Sequence, residues 1–231
     1  MNNPILVAVI NQSTLVNDNA VSNVVAHLQT QIKYHFTPAW GIAADVWFYP
    51  KSISVPATAW QLIVLDNSDQ AGALGYHDIT ATGLPLAKIF VKDTVSAGFS
   101  WSVTMSHELL EMLVDPEVNL TVFNQNTNTT GVLYAYELCD AVEDDSFGYA
   151  IGSVKVSDFI LPHYFVAGSP RPYDFKEHIQ EPFQLLPGGY ASVFDVTGGS
   201  GWTQLNGRTT SNLNRTILRQ KPRSQWQKSE L

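Results

Sequence analysis

Residues 100 to 116, Ser-Trp-Ser-Val-Thr-Met-Ser-His-Glu-Leu-Leu-Glu-Met-Leu-Val-Asp-Pro, constrain the fold more than any other stretch of the chain. The pattern predicts one helix that starts near Ser100 and ends close to Asp115, because Pro116 disfavours helix at the residue before it. Met105, Leu109, Leu110, Met112, Leu113 and Val114 point in most directions around the cylinder, so the helix must be buried on most sides. His107, Glu111 and Asp115 nevertheless recur at i, i+4 and i+8, each about 40° of rotation from the last, and Glu108 lies about a quarter turn from His107. Ionisable groups on a buried helix are costly unless they are paired or hold a metal, which makes this stripe the place to look for chemistry.

A helix of that kind needs layers to bury it, and the preceding hundred residues supply them. Ile5 to Ile10 is a short apolar run of mostly β-branched residues, the pattern of a strand covered on both faces. Asn17, Asp18 and Asn19 offer helix caps, and Val21, Val24, Val25, Leu28 and Ile32 follow at helical spacing, with an end expected before Thr37-Pro38. Strands are expected at 44–49, 61–65 and 86–91. The segment Gln70 to His77, with small residues and two glycines, suits an extended edge that another backbone can approach closely. Beyond the helix, 118–123 and 132–136 read as strands flanking an Asn/Thr turn, then comes the acidic run Glu137 to Asp145. After Pro162 the prolines and Pro187-Gly-Gly189 predict loops laid over the core, with a short strand near 191–194. The fold class is α/β (α+β), a single domain over 1–206 with its core in 1–160 and a loop-rich cover in 161–206.

Charge is divided unevenly. The net charge is −8, yet residues 207–231 carry six basic groups and one acid, which leaves −13 on residues 1–206. An acidic body argues against nucleic acid as a partner and suits cations. The basic tail 207–231 is expected to extend from the body, with self-assembly or an acidic protein as its partner. Cys139 is the only cysteine, so no internal disulfide forms. No apolar stretch approaches 18 residues and no signal-peptide pattern opens the chain, so no membrane segment is expected and a soluble, cytoplasmic or virion-associated protein is.

His-Glu-x-x-His on a helix presents two imidazoles one turn apart to zinc, with the glutamate after the first as general base. Here the string is His107-Glu108-Leu-Leu-Glu111, with a carboxylate in place of the second imidazole. Zinc accepts that, and harder ions such as manganese or calcium gain ground. A third ligand is needed. Asp115 lies about 12 Å along the axis from His107 and is better read as an end-of-helix group. The acidic run is a better source: Glu137 as ligand, with Asp140 orienting His107. His77, His163 and His178 are reserves, while Glu143, Asp144 and Asp145 are expected in a solvated turn or an incidental calcium site.

The Ser-His-Glu-Leu-Leu-Glu helix, preceded by a mixed sheet and an edge-like segment, resembles the zincin-like metallopeptidases. The resemblance implies a twisted sheet whose edge strand, around Gly75, Tyr76 and His77, lines a substrate cleft, with the metal helix packed beneath. It also implies His107 as first ligand, Glu108 as general base and Glu111 at the second ligand position. Glu137 with Asp140 is similar to the gluzincin branch, where a downstream glutamate is the third ligand. Glu111 departs from the usual histidine, and the Gly and third His of the metzincin branch are missing. The whole chain also resembles uncharacterised bacterial and phage proteins that share Ser-His-Glu-Leu-Leu-Glu-Met-Leu and Pro-Gly-Gly-Tyr. The function expected is a metal-dependent hydrolase, a peptidase with one divalent ion, zinc first, acting on peptide or protein through a metal-bound water and Glu108. The alternative is a structural or assembly protein, such as a virion component, on the same fold.

Overall fold

The computed structural model describes residues 3–70, 72–198 and 201–207. The basic tail from Arg208 onward therefore lies outside the described residues. The first sheet holds β1 (Ile5–Asn11), β2 (Ala44–Tyr49), β3 (Trp60–Leu65), β4 (Gly75–Ile79) and β5 (Pro85–Phe90) in the order β2-β1-β3-β5-β4. Three of its four pairings are parallel, and β4 runs antiparallel to β5 as the outermost strand. The sheet is thus mixed, as expected. Val7, Ala8 and Val9 of β1 are completely buried, which is what their uniformly apolar run demands of an inner parallel strand.

Helix α1 (Asp18–Gln31) makes the crossover from β1 to β2, capped by the Asn17 side chain, which accepts from the Ala20 N–H at 2.9 Å. The α-helix itself ends at Gln31, but helical backbone continues past Thr37-Pro38, where an end was expected. A π-helical turn over Ile32–Phe36 bonds the Thr37 N–H to the Ile32 carbonyl, five residues back. Pro38 then sits in the first turn of the short helix α2 (Thr37–Trp40), where its missing N–H costs nothing. Gly41, at φ +70°, closes it.

After α3 (Val91–Ser96) comes the central helix α4 (Trp101–Val114), with every residue from Ser102 onward buried. It packs against β4 and β5 of the sheet and against β9 (Val154–Val156), which forms a hairpin with β8 (Tyr149–Ile151). Its position beside α1 is fixed by a buried polar link. The Ser106 hydroxyl donates to Gln31 Oε1 at 2.7 Å and accepts from the Ser157 N–H at 3.1 Å, while Gln31 Nε2 donates to the Ser157 carbonyl at 2.9 Å. Each buried polar atom of that link is satisfied, so it specifies the docking of α4 without a desolvation penalty.

A second sheet of four strands, β11-β10-β7-β6, joins β6 (Thr121–Gln125) and β7 (Gly131–Ala135) to β10 (Tyr190–Asp195) and β11 (Trp202–Asn206). The C-terminal third is therefore more regular than its prolines and glycines suggest. β10 pairs with β7 and recruits β11, whose Trp-Thr-Gln-Leu-Asn sequence carries too short an alternation to stand out alone. No helix among the described residues is long and apolar enough to cross a membrane.

Candidate metal centre

Three segments converge on α4. The helix presents His107, Glu108 and Glu111, all with no exposed surface. β4 brings His77, 1% exposed, from the sheet side, and its Nδ1 lies 3.7 Å from Glu108 Oε2 and 3.7 Å from Glu111 Oε2. The strand approaches this closely because residue 75 is glycine: a Cβ there would fall 2.9 Å from the Glu108 side chain. The third segment follows β7. The Cys139 N–H donates to Glu111 Oε1 at 3.1 Å, and a single 3-10 turn, Asp140–Val142, aims Asp140 and then Glu143 back at the helix.

His107 is the hub. Its Nε2 lies 3.1 Å from Glu111 and 3.3 Å from Asp140, and its Nδ1 lies 3.3 Å from Glu143. Neither nitrogen makes a hydrogen bond of good geometry, although carboxylate oxygens stand close to both. Burial works against a charged imidazole, but Glu111 and Glu143, with Asp140 beside them, hold its pKa well above the usual value. Surrounding acids thus compete to place a cation where the ring nitrogens point, and a metal ion answers the same demand as a proton. The donors fall into overlapping sets whose ligand atoms lie within 4.8 Å of one another: His107, Glu111 and Cys139; His107, Asp140 and Glu143; His77, Glu111 and Glu137. These buried groups can hold a metal ion.

The chain matches no family model, no curated protein and no solved structure.

The structure distributes the expected residues differently in three places and bears out a fourth. Asp140, expected to orient His107, faces Nε2 together with Glu111, while Glu143 takes the Nδ1 side. Glu137 gathers with His77 and Glu111 instead of with His107. Glu143 is 1% exposed and no part of a solvated turn; three residues beyond Asp140, it shares that residue's side of a tight turn, a spacing that could have exposed it. Asp115 is a local cap, as its distance along the helix implies, with its carboxylate accepting the N–H groups of Asn119 and Leu120 at 3.0 and 3.1 Å.

The expected cleft beside residues 75–77 is closed. Gly75 and His77 face α4, whereas Tyr76 faces the other way, against Phe90 and Asp69. Glu108 is sealed. An opening exists further along, where a cavity of about 70 Å³ is lined by Asp115, Leu120, Glu137, Ser192 and Trp202. The larger groove of about 750 Å³ lies between α1 and β2, contains none of these residues, and has mostly apolar walls. Cys139 is no nucleophile: burial, with Glu111 close by, pushes its thiol well up. Covering the turn is Pro187-Gly-Gly189, where a Cβ on Gly189 would lie 2.3 Å from the Ala141 carbonyl oxygen. Its role is close backbone approach, and the Leu186 N–H bonds that same carbonyl at 3.0 Å.

Proposed function

We propose that the chain is a metal-dependent hydrolase of zincin type, a peptidase with zinc as first candidate ion. One observation carries the reading: a completely buried imidazole, His107, directs one nitrogen at Glu111 and Asp140 and the other at Glu143. That is the arrangement of a ligating histidine, with ligand carboxylates beside one nitrogen and an orienting carboxylate on the other. His107 Nε2, Glu111 and Asp140 would hold the ion, and Glu143 would fix the ring. A divalent ion supplies Lewis-acid chemistry there, polarising a carbonyl and lowering the pKa of water. Glu108, next to His107 and 3.7 Å from His77, is the base that takes the proton of the attacking water and returns it to the leaving amine.

A second reading, a structural or assembly protein that keeps the ion as an internal staple, is favoured by one fact. Glu108 and His77 have almost no exposed surface, and structural metal sites are closed where catalytic ones keep an open position. Metal content by mass spectrometry, for wild type and for His107→Ala and Glu111→Ala, tests the common ground: bound metal in wild type is lost in both variants while circular dichroism is unchanged. No metal in wild type after incubation with zinc ends both readings. Peptide cleavage by wild type that disappears in Glu108→Gln, with metal retained, selects the hydrolase; retained metal without cleavage selects the staple.

A further inference from the structure

We propose that the centre takes two divalent ions and that Glu111 bridges them. This deepens the metal-centre reading above and rests on it. The first ion is that of His107, Glu111 and Asp140. The second sits on the sheet side, held by His77 from β4, by Glu111 from α4 and by Glu137 from the segment after β7.

Geometry supplies the first argument. Glu111 has its Oε1 tied to the Cys139 N–H, which turns Oε2 toward the space between the two histidines. That one oxygen lies 3.1 Å from His107 Nε2 and 3.7 Å from His77 Nδ1. The imidazoles flank it from different elements, and each has its own downstream carboxylate: Asp140 is 3.3 Å from His107, and Glu137 has a carboxylate oxygen within 4.8 Å of the His77 and Glu111 donors. A shared carboxylate between two histidine-carboxylate sets is the donor pattern of a two-ion site, whose ions stand about 3.5–4 Å apart.

Charge supplies the second. Glu108, Glu111, Glu137, Asp140 and Glu143 are five carboxylates converging on two imidazoles, and four of the five are at most 4% exposed. Carboxylates gathered this closely in a buried space are costly to ionise together, and each divalent ion held among them offsets two of their charges. His107, buried with both ring nitrogens short of good hydrogen bonds, shows that the cluster as built is not a closed hydrogen-bond network. The cavity of about 70 Å³ supplies the third argument: Glu137, a donor of the proposed second position, lines it, whereas His107 and Asp140 do not. Oxygen-rich ligation of this kind suits manganese as well as zinc.

The test is stoichiometric and independent of activity. Full-length apo protein is dialysed against Mn²⁺ or Zn²⁺ and the bound metal counted, for wild type, His77→Ala, Glu137→Gln, His107→Ala and Glu111→Ala, with circular dichroism on each. The expected result is about two equivalents in wild type, about one in His77→Ala and in Glu137→Gln, at most one in His107→Ala, and the greatest loss in Glu111→Ala. Electron paramagnetic resonance of the Mn²⁺ form should show spin coupling in wild type and the spectrum of an isolated ion in Glu137→Gln. One equivalent in wild type, kept by His77→Ala, overturns the second ion and leaves the first standing. Two equivalents kept by both His77→Ala and Glu137→Gln place the second ion elsewhere and also overturn the proposal, whereas no metal at all overturns the metal-centre reading itself. Glu137→Gln preserves volume, so the test survives if His77→Ala fails to fold.

Discussion

Among the described residues two clusters bring a histidine together with buried carboxylates, and they are anchored differently. Around His107 the acids turn toward the imidazole, Glu111 and Asp140 to Nε2 and Glu143 to Nδ1. In the other cluster, Asp158, Asp174 and His178, the carboxylates are equally buried but anchored to the main chain. Asp158 accepts the N–H groups of Phe159 and Lys176 at 2.8 and 3.2 Å, and Asp174 accepts those of His178 and Ile179 at 2.9 and 2.8 Å. Burial beside Asp174 pushes Asp158 up to about 9, and His178, 36% exposed, stands 3.3 Å from Asp158 and 3.4 Å from Asp174. Proximity of donors is thus a poor guide to a metal site. What marks the second cluster is that main-chain N–H groups have claimed the oxygens of both its acids.

The largest effect that could break this comparison is on stability. Asp174→Ala would strip the N–H acceptors at 178 and 179 and leave Asp158 without its partner, a loss of about 3–5 kcal/mol by analogy with broken buried pairs. Denaturant unfolding of purified variants measures it, and bound metal should stay at the wild-type level. A variant that folds well but loses one equivalent of metal would make the second cluster a cation site too, and the contrast would collapse.

Gly189→Ala sharpens the comparison from the other side. The added methyl meets the Ala141 carbonyl at 2.3 Å and the Asp140 carbonyl at 2.9 Å, so the turn that carries Asp140 must move. Metal affinity should drop about 10–100-fold, the usual penalty for disturbing the groups that support ligands, while the Asp158 cluster is untouched. A competition titration with a chromophoric chelator reads this directly. Unchanged affinity would show that Asp140 is not a ligand.

These contrasts also show what was legible beforehand. The strands at 5–10, 44–49, 61–65 and 86–91 and the helix at 100–115 could be read because local pattern and tertiary environment agree: inner parallel strands are uniformly apolar, and α4 is apolar nearly all round. His107, Glu108 and Glu111 were visible for the same reason, as charges out of place on such a helix. Glu143 was hidden because an acidic run reads as solvated wherever its turn is unknown, and only the 3-10 turn at Asp140–Val142 folds it inward. The division of labour between Glu137 and Asp140 is a matter of which side of α4 the chain crosses, a long-range fact with no local signal. Asp158 and Asp174, sixteen residues apart, meet through the pairing of 158–161 with 173–176, which no periodicity announces.

The smallest effect at neutral pH tests the proton that the second cluster holds. Burial, with the hydrogen bond and charge of Asp174, pushes Asp158 up from 3.8 to about 9. The folded state therefore keeps a proton that the unfolded chain, titrating near 3.8, has released. The associated stability is fully present below about pH 4 and is lost as pH rises through about 9. Asp158→Asn supplies a permanent N–H toward Asp174 and keeps an oxygen for Phe159 and Lys176, so at pH 5 it should cost no more than about 1 kcal/mol, the scale of one neutral hydrogen bond. Between pH 6 and 9 its Tm should fall less steeply than that of wild type, and the two curves should approach or cross. His178 and Tyr149 also face Asp158, so both curves are repeated on a His178→Gln background to isolate the carboxyl. Parallel curves would show that Asp158 does not keep its proton in the folded state, and the two clusters would then be closer in kind than their hydrogen bonds imply.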